Sequence, residues 1–133
     1  MLPESDTLEV KESAIPGAGL GLFAKQAIEK GTVFCEYFGK EITLLQMLRL
    51  KDKTYVMGGF GLNCHIDANE VYECFGRYIN DGMVPARQNA RFVKIKHLKR
   101  ANIIATRDIS AGEEIYVSYG SVYWRGRPLT TVD

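Results

Sequence analysis

The stretch GEEIYVSYG, residues 112–120, has the pattern of a strand whose apolar side ends in a tyrosine. Alternation places Ile115, Val117 and Tyr119 on one face and polar side chains on the other. A glycine follows directly, so the backbone is free to turn beside the phenol. Packing alone can account for such a tyrosine, because a buried ring often sends its hydroxyl to a partner or to the surface. A hydroxyl aimed into a site is the alternative.

The composition indicates one compact domain, and its net charge is too small to predict electrostatic binding to nucleic acid or to an anionic membrane. The 133 residues are 46% hydrophobic, and 17 lysines and arginines nearly balance 16 aspartates and glutamates, for a formal net charge of +1. Three cysteines form no CxxC pair, which argues against a zinc site, and their odd number argues against a disulfide framework. The first residues lack the pattern of a secretory signal, and no apolar run approaches the ~18 residues that span a bilayer. We expect a soluble, intracellular protein.

Short segments separated by glycines predict a mainly β chain with a few short helices. The absence of strand–helix alternation disfavours a parallel nucleotide-binding sheet. A helix is predicted after the capping-box pair Thr43 and Gln46, and another after Asn69 through EVYECFG. Strand patterns occur at residues 8–13, 20–25, 32–38, 92–96, 102–107 and 114–119.

Three separated segments hold the residues that suggest chemistry. PGAGLGLFA, residues 16–24, places glycines ahead of an apolar strand, where a backbone can approach a ligand closely. CFGRYIND, residues 74–81, runs into an Asn-Asp-Gly triplet, and the 112–120 strand is followed by Trp124. Taken one at a time, these are ordinary turns and a core aromatic.

In combination they resemble the SET-domain family of protein lysine methyltransferases. The resemblance follows the family's motif order over about residues 8–127, and the tail SYGSVYWRGRP is most similar to minimal, free-standing viral SET proteins. The matching motifs are Gly19-Leu20-Gly21 followed by LFA, Glu36-Tyr37-Phe38-Gly39, Ile66-Asp67-Ala68, GRYIN at 76–80 and the 112–120 strand.

This resemblance implies a mainly β, β-clip-like SET fold whose C-terminal part threads against GRYIN as a pseudoknot. It implies a single SET domain over residues 1–133, without zinc-binding flanking modules or another metal site. S-adenosylmethionine would bind on one face, and a lysine of a histone tail or another basic peptide would enter from the other. A nuclear location follows from a histone substrate (the host nucleus for a viral protein). Homodimerisation is left open, and no direct contact with nucleic acid or membrane is expected.

The required chemistry suits the implied channel. A free lysine titrates near ~10.4 and must lose its proton before it attacks a methyl group, and both an apolar channel and a neighbouring sulfonium favour that loss. The resemblance implies that Tyr119 is the catalytic tyrosine, with its hydroxyl directed at the methyl group and the lysine nitrogen. Tyr37 and Tyr55 would orient the lysine, although ordinary half-buried strand aromatics are the alternative for both.

The resemblance also implies the residues that hold the cofactor. The backbone of Gly19, Leu20 and Gly21 would contact its methionine part. Asn80 and the backbone of Asp81 would contact the amino group and the adenine, and Trp124 would stack on the adenine or close the lysine channel.

Two positions depart from the family pattern and keep other functions open. Asp81 replaces the usual histidine, which puts adenine-side affinity in doubt, although a carboxylate could attract the cationic cofactor. Val117 stands where many members have Phe or Tyr, so the number of methyl groups added is open. A catalytically silent SET fold that binds peptides is one alternative. A small β domain that contacts nucleic acid through the lysines of residues 90–100 is another.

Overall fold

Ten short strands carry most of the regular backbone in the computed structural model, which describes residues 2–61 and 63–119. One α-helix and three short 3₁₀ turns (residues 75–78, 85–87 and 96–98) complete the regular structure in this part of the chain. In chain order the elements are β1 (Leu8–Glu12), β2 (Leu20–Ala24), β3 (Val33–Tyr37), β4 (Lys40–Ile42), α1 (Leu44–Arg49), β5 (Val56–Met57), β6 (His65–Asp67), β7 (Asn80–Asp81), β8 (Ala90–Ile95), β9 (Arg100–Ala105) and β10 (Tyr116–Val117).

The strands form four small sheets, of which three are antiparallel. These are the β1–β2 hairpin, a sheet of order β3-β9-β8 and a sheet of order β4-β6-β5. In the fourth sheet β10 pairs with β7 in parallel, with Tyr116 opposite Asn80 and Val117 opposite Asp81. This pair lays the C-terminal strand against the end of GRYIN, which is the contact that the expected threaded arrangement requires.

Most of the predicted strands are present, but the last is much shorter than its alternation suggests. Residues 114–119 yield only Tyr116–Val117, because the partner strand β7 is itself two residues long. Glu114 instead makes an isolated bridge to Phe23 on β2. The strands β4 to β7 were not predicted, because two or three residues are too few to display an alternation.

The two helix predictions had different outcomes. The helix after Thr43 is confirmed, and Thr43 and Gln46 form the reciprocal capping box that the sequence predicts. The helix after Asn69 is wrong, because the chain there forms turns followed by a 3₁₀ turn. Locally, the Asp67 carboxylate accepts the backbone N–H of Asn69 at 3.0 Å, which favours a turn over a helix start.

The core lies between the sheets and is formed by buried side chains from all four of them. Five aliphatic side chains from four sheets are fully buried: Leu22, Ile66, Ile103, Ile115 and Val117. Each contributes about 1.5–3 kcal/mol by leaving water. Ile115 and Val117 are therefore core residues, as the alternation of the 112–120 stretch predicts. Within the described residues, no helix has the length and apolar character needed to cross a membrane.

Candidate functional site

The segment Gly76–Asp81, called here the 76–81 segment, connects the parts of the candidate site. It begins in a 3₁₀ turn packed on β3 and ends in β7. A side chain on Gly76 would place its Cβ 2.7 Å from the carbonyl oxygen of Glu36 and 3.0 Å from the Cα of Tyr37. Only glycine allows this approach, so Gly76 seats the segment against the strand that carries Tyr37.

Tyr119 is held by the 76–81 segment at both its backbone and its hydroxyl. The hydroxyl donates a hydrogen bond to the carbonyl of Ile79. The backbone N–H donates to Oδ2 of Asp81 at 2.8 Å. The half-buried ring also packs against the core. The phenol of Tyr119 thus has a defined position beside GRYIN. Such a position is compatible with both interpretations of this tyrosine, packing and catalysis.

Asp81 directs its carboxylate into the protein. It is 7% exposed, and its Oδ1 accepts the backbone N–H of Met83 at 2.6 Å while Oδ2 accepts that of Tyr119. Met83 has a φ of 70°, a backbone conformation that residues other than glycine rarely adopt, and the hydrogen bond from its N–H to Asp81 helps to hold it. The carboxylate that replaces the family's histidine therefore fastens two backbone segments together.

The side chain of Tyr37 contacts the backbone of Tyr55. The Tyr37 hydroxyl donates to the backbone carbonyl of Tyr55, and its ring lies edge-on to Phe92 with centroids 5.9 Å apart. The Tyr55 ring is half-buried, and the guanidinium carbon of Arg77 lies 4.2 Å from its centre. One face of Tyr55 is thus occupied by a cation from the 76–81 segment.

Arg77 is a positioning residue that the sequence analysis missed. Its guanidinium also lies 4.8 Å from the ring centre of Tyr72 and 4.9 Å from that of Tyr78. It donates hydrogen bonds at 2.9 Å to the carbonyls of Ala68 and Asn69. The available signal was an arginine inside GRYIN with tyrosines on both sides in sequence.

The glycines of the 16–24 stretch serve two different purposes. Gly19 has a φ of +80°, and a Cβ there would meet no atom of the described residues within 4 Å, so among them this backbone borders open space. A Cβ on Gly21 would lie 2.3 Å from Oε2 of Glu114, so Gly21 is required by packing. Asn80 donates its side-chain amide to the carbonyl of Leu20 at 2.9 Å. The structure thereby brings Asn80 to the Gly19–Gly21 backbone.

Glu114, which the sequence analysis also missed, is a buried carboxylate at this junction. Although it lies on the polar side of the alternation, it is only 7% exposed. Its Oε2 accepts hydrogen bonds from the Ser13 hydroxyl at 2.6 Å and the Asn80 amide at 3.3 Å. Its Oε1 accepts the Ala14 N–H at 2.9 Å and the Tyr116 hydroxyl at 2.8 Å. One carboxylate thus ties together three separated segments.

Asn89 fixes the strand that leads to Tyr119. It is fully buried, donates its amide to the Glu114 carbonyl at 2.9 Å and accepts the Tyr116 N–H at 2.9 Å. The backbone N–H of Asn89 in turn donates to the Tyr116 carbonyl. Asn89 therefore anchors β10.

The predicted site residues thus fall into two connected groups. Tyr37 and Tyr55 form one, and Asn80, Asp81 and Tyr119 form the other together with the 19–21 backbone. The 76–81 segment contacts both. Trp124 lies outside the described residues. Among the described residues, no group of three or more His, Cys, Asp or Glu is arranged to hold a metal ion.

The second group fits the cofactor that the sequence analysis inferred. The backbone at Gly19 borders open space, which leaves room for a bound molecule. The buried carboxylate of Glu114 lies against Gly21 of the same stretch and suits a ligand that carries positive charge.

The chain is similar to known proteins over most of its length. The SET domain family model matches residues 19–120. A Chaetomium globosum protein named "Histone-lysine N-methyltransferase, H3 lysine-4 specific" is 32% identical over 106 residues, which are 74% of this chain and 10% of that protein. A Schizosaccharomyces pombe protein of the same name is 32% identical over 107 residues, 75% of this chain and 11% of that protein. The chain thus spans about a tenth of the length of these relatives.

A mouse protein and a solved structure extend the comparison. "Histone-lysine N-methyltransferase MECOM" of Mus musculus is 43% identical over 54 residues, 41% of this chain and 4% of that protein. The solved methyltransferase domain of human PR domain-containing protein 2 superposes with a TM-score of 0.70 at 23% identity, covering 89% of this chain and 80% of that one. The architecture of the two chains is the same.

Proposed function

Because the chain belongs to the SET-domain family, we propose that it is an S-adenosylmethionine-dependent protein-lysine N-methyltransferase that acts on a histone tail. The observation that carries the proposal is the attachment of Tyr119 to the 76–81 segment. That attachment sets the candidate catalytic hydroxyl beside the same segment whose Asn80 reaches the Gly19–Gly21 backbone. Because one short segment contacts both the hydroxyl and the proposed cofactor loop, it would hold them in a fixed relation, which favours methyl transfer by positioning the reactants.

The chain's own residues would bind and orient the reactants. S-adenosylmethionine supplies an electrophilic methyl group on a sulfonium. Backbone groups of residues 19–21, with Asn80 and the backbone of Asp81, are the proposed cofactor contacts, and Trp124 is the proposed cover. Backbone carbonyls such as that of Ile79 are suited to weak contacts with a polarised methyl group.

The tyrosines would prepare the lysine. Their rings pack along its apolar stem and attract its cationic head, while burial between them favours the neutral amine. We place Tyr37 and Tyr55 in this role and Tyr119 next to the amine. The ring of Tyr55 has Arg77 on one face, and a cation near the channel would also disfavour a protonated lysine.

The substrate class and location follow from the same family. Relatives named for histone H3 lysine 4 support a histone tail as the substrate and the nucleus as the location. We keep homodimerisation as a prediction, to be measured by analytical ultracentrifugation.

Methyl transfer from labelled S-adenosylmethionine to purified core histones tests the proposal. The wild type should label one histone. Tyr119→Phe should lose activity by ~10²-fold or more, because it deletes one hydroxyl that takes part in the reaction. Tyr72→Phe is the matched control, since Tyr72 is 54% exposed and its ring contact with Arg77 survives the change.

Two results would contradict the proposal. Full activity of Tyr119→Phe would remove this hydroxyl from the mechanism. A folded wild type that binds histone peptides but not S-adenosylmethionine would favour the silent, peptide-binding SET fold instead.

A further inference from the structure

We propose that Glu114 sets the charge preference of the cofactor site, making it bind cationic S-adenosylmethionine more tightly than the uncharged-sulfur product, S-adenosylhomocysteine. This inference rests on the proposed function and extends it to product discrimination. It concerns a residue that lies behind the Gly19–Gly21 backbone, and it assigns to it no role in the transfer step itself.

Four hydrogen-bond donors surround the side chain of Glu114, an environment that suits a negatively charged carboxylate. Its four partners are the hydroxyls of Ser13 and Tyr116, the Ala14 N–H and the Asn80 amide, and each donates to it. Burial and the bond to Glu114 raise the pKa of Tyr116 to about 12, so this phenol keeps its proton and donates.

No cation balances this charge in the part of the chain that the structure describes. The ion pairs there use other acidic residues, namely Glu4, Glu9, Glu36 and Glu113. Glu114 is 7% exposed, so water and salt screen it far less than they screen a surface carboxylate. Its field therefore extends into the neighbouring site.

The carboxylate lies directly behind the proposed cofactor contacts. Its Oε2 touches the position where a side chain of Gly21 would begin, and it accepts the same Asn80 amide that reaches Leu20. A ligand bound on the open side of the Gly19 backbone would interact electrostatically with this carboxylate across the main chain of residues 19–21.

The two ligands differ by one unit of charge. S-adenosylmethionine carries a sulfonium, an ammonium and a carboxylate, for a net charge of +1, and the product has lost the sulfonium charge. A unit charge ~10 Å from another, at an effective dielectric constant of ~20, changes an affinity roughly tenfold. Product would then leave more readily than substrate cofactor.

Isothermal titration calorimetry with both ligands tests this inference on three proteins. Glu114→Gln removes the charge and keeps the shape, and Glu113→Gln is the matched control because it removes the same charge from a surface pair with Arg107. We expect the wild type and Glu113→Gln to prefer S-adenosylmethionine about tenfold. In Glu114→Gln, that preference should fall by about tenfold while affinity for the product changes less than about twofold.

The outcomes separate this inference from the proposed function. Equal losses for both ligands in a folded Glu114→Gln protein would leave Glu114 a structural residue and overturn the inference alone. A wild type that binds neither ligand would overturn both proposals. If Glu114→Gln does not fold, the wild type decides, because equal affinities for the two ligands contradict the inference and a tenfold preference supports it.

Discussion

At the scale of single residues, the site is built by side chains that hold backbone rather than by side chains left free. Asp81 fastens the N–H groups of Met83 and Tyr119, and Asn80 reaches the carbonyl of Leu20. Each of these contacts fixes a main-chain position with one short polar side chain, which loses little conformational entropy on ordering. A pre-organised backbone is what a positioning mechanism needs.

His65 is the residue whose ionisation should limit stability in acid. It is 5% exposed, and its Nδ1 has no hydrogen-bond partner among the described residues. Burial lowers the pKa of His65 below its usual value of 6.5. The unfolded chain therefore binds a proton more readily than the folded one, and stability should fall as the pH drops below about 6.5 through the lower native pKa.

Urea unfolding from pH 7.5 to 5.0 measures this effect. The wild-type midpoint should decline in that range. The free energy of unfolding should fall by up to about 1.4 kcal/mol for each unit by which the folded and unfolded pKa values of His65 differ. His65→Gln should flatten the decline, and His97→Gln, which removes the exposed second histidine, should leave it unchanged. An identical decline in all three proteins would assign the effect to other groups.

At the scale of elements, β10 is too short to hold itself in place. Two residues paired with a two-residue partner provide few ladder hydrogen bonds, yet Tyr119 follows directly. The buried side chain of Asn89 supplies what the ladder lacks, since it bonds the Glu114 carbonyl and the Tyr116 N–H. Side-chain anchoring here replaces strand length.

Asn89→Ala should therefore damage both stability and activity. It leaves the buried Glu114 carbonyl and the half-buried Tyr116 N–H without these partners, at a cost of ~2–4 kcal/mol. Chemical denaturation measures the free energy of unfolding, and methyl transfer measures the consequence for Tyr119. The neighbouring Gln88→Ala is the control, with an expected change below ~0.5 kcal/mol because its side chain is only half-buried. Equal effects of the two substitutions would contradict the anchoring role.

At the scale of the whole molecule, four small sheets share one core, and most contacts join segments that are far apart in the sequence. The sheet β3-β9-β8 joins residues about 70 positions apart in sequence, and β7–β10 joins Asn80 to Tyr116. No sheet has more than three strands among the described residues, and two of them have only two, so the sheets depend on the core that they share. We expect unfolding to be a single cooperative event.

The buried thiols report on that event. Cys35 and Cys74 pack in or against the core, and burial raises the pKa of both thiols. Since the thiolate is the reactive form, iodoacetamide at pH 8 should leave both unmodified in the native protein. In rising urea, mass spectrometry should show both becoming alkylated at the midpoint seen by circular dichroism. Alkylation of either one well below that midpoint would reveal local opening of the β3 region.

The sequence by itself determined the mainly β class, the capped helix after Thr43, the buried face of Ile115 and Val117, and the family. These can be read without the fold, because alternation and capping are patterns of neighbouring residues and the family follows from the order of short motifs along the chain. Only the tertiary structure decided that Glu114 is buried on the other face, that Asp81 turns inward and that Asn89 anchors β10. Alternation shows which face of a strand is apolar, but a second layer packed on the polar face comes from segments some 30 to 100 residues away. The burial of Glu114 beside the candidate site could therefore be seen only in the folded chain.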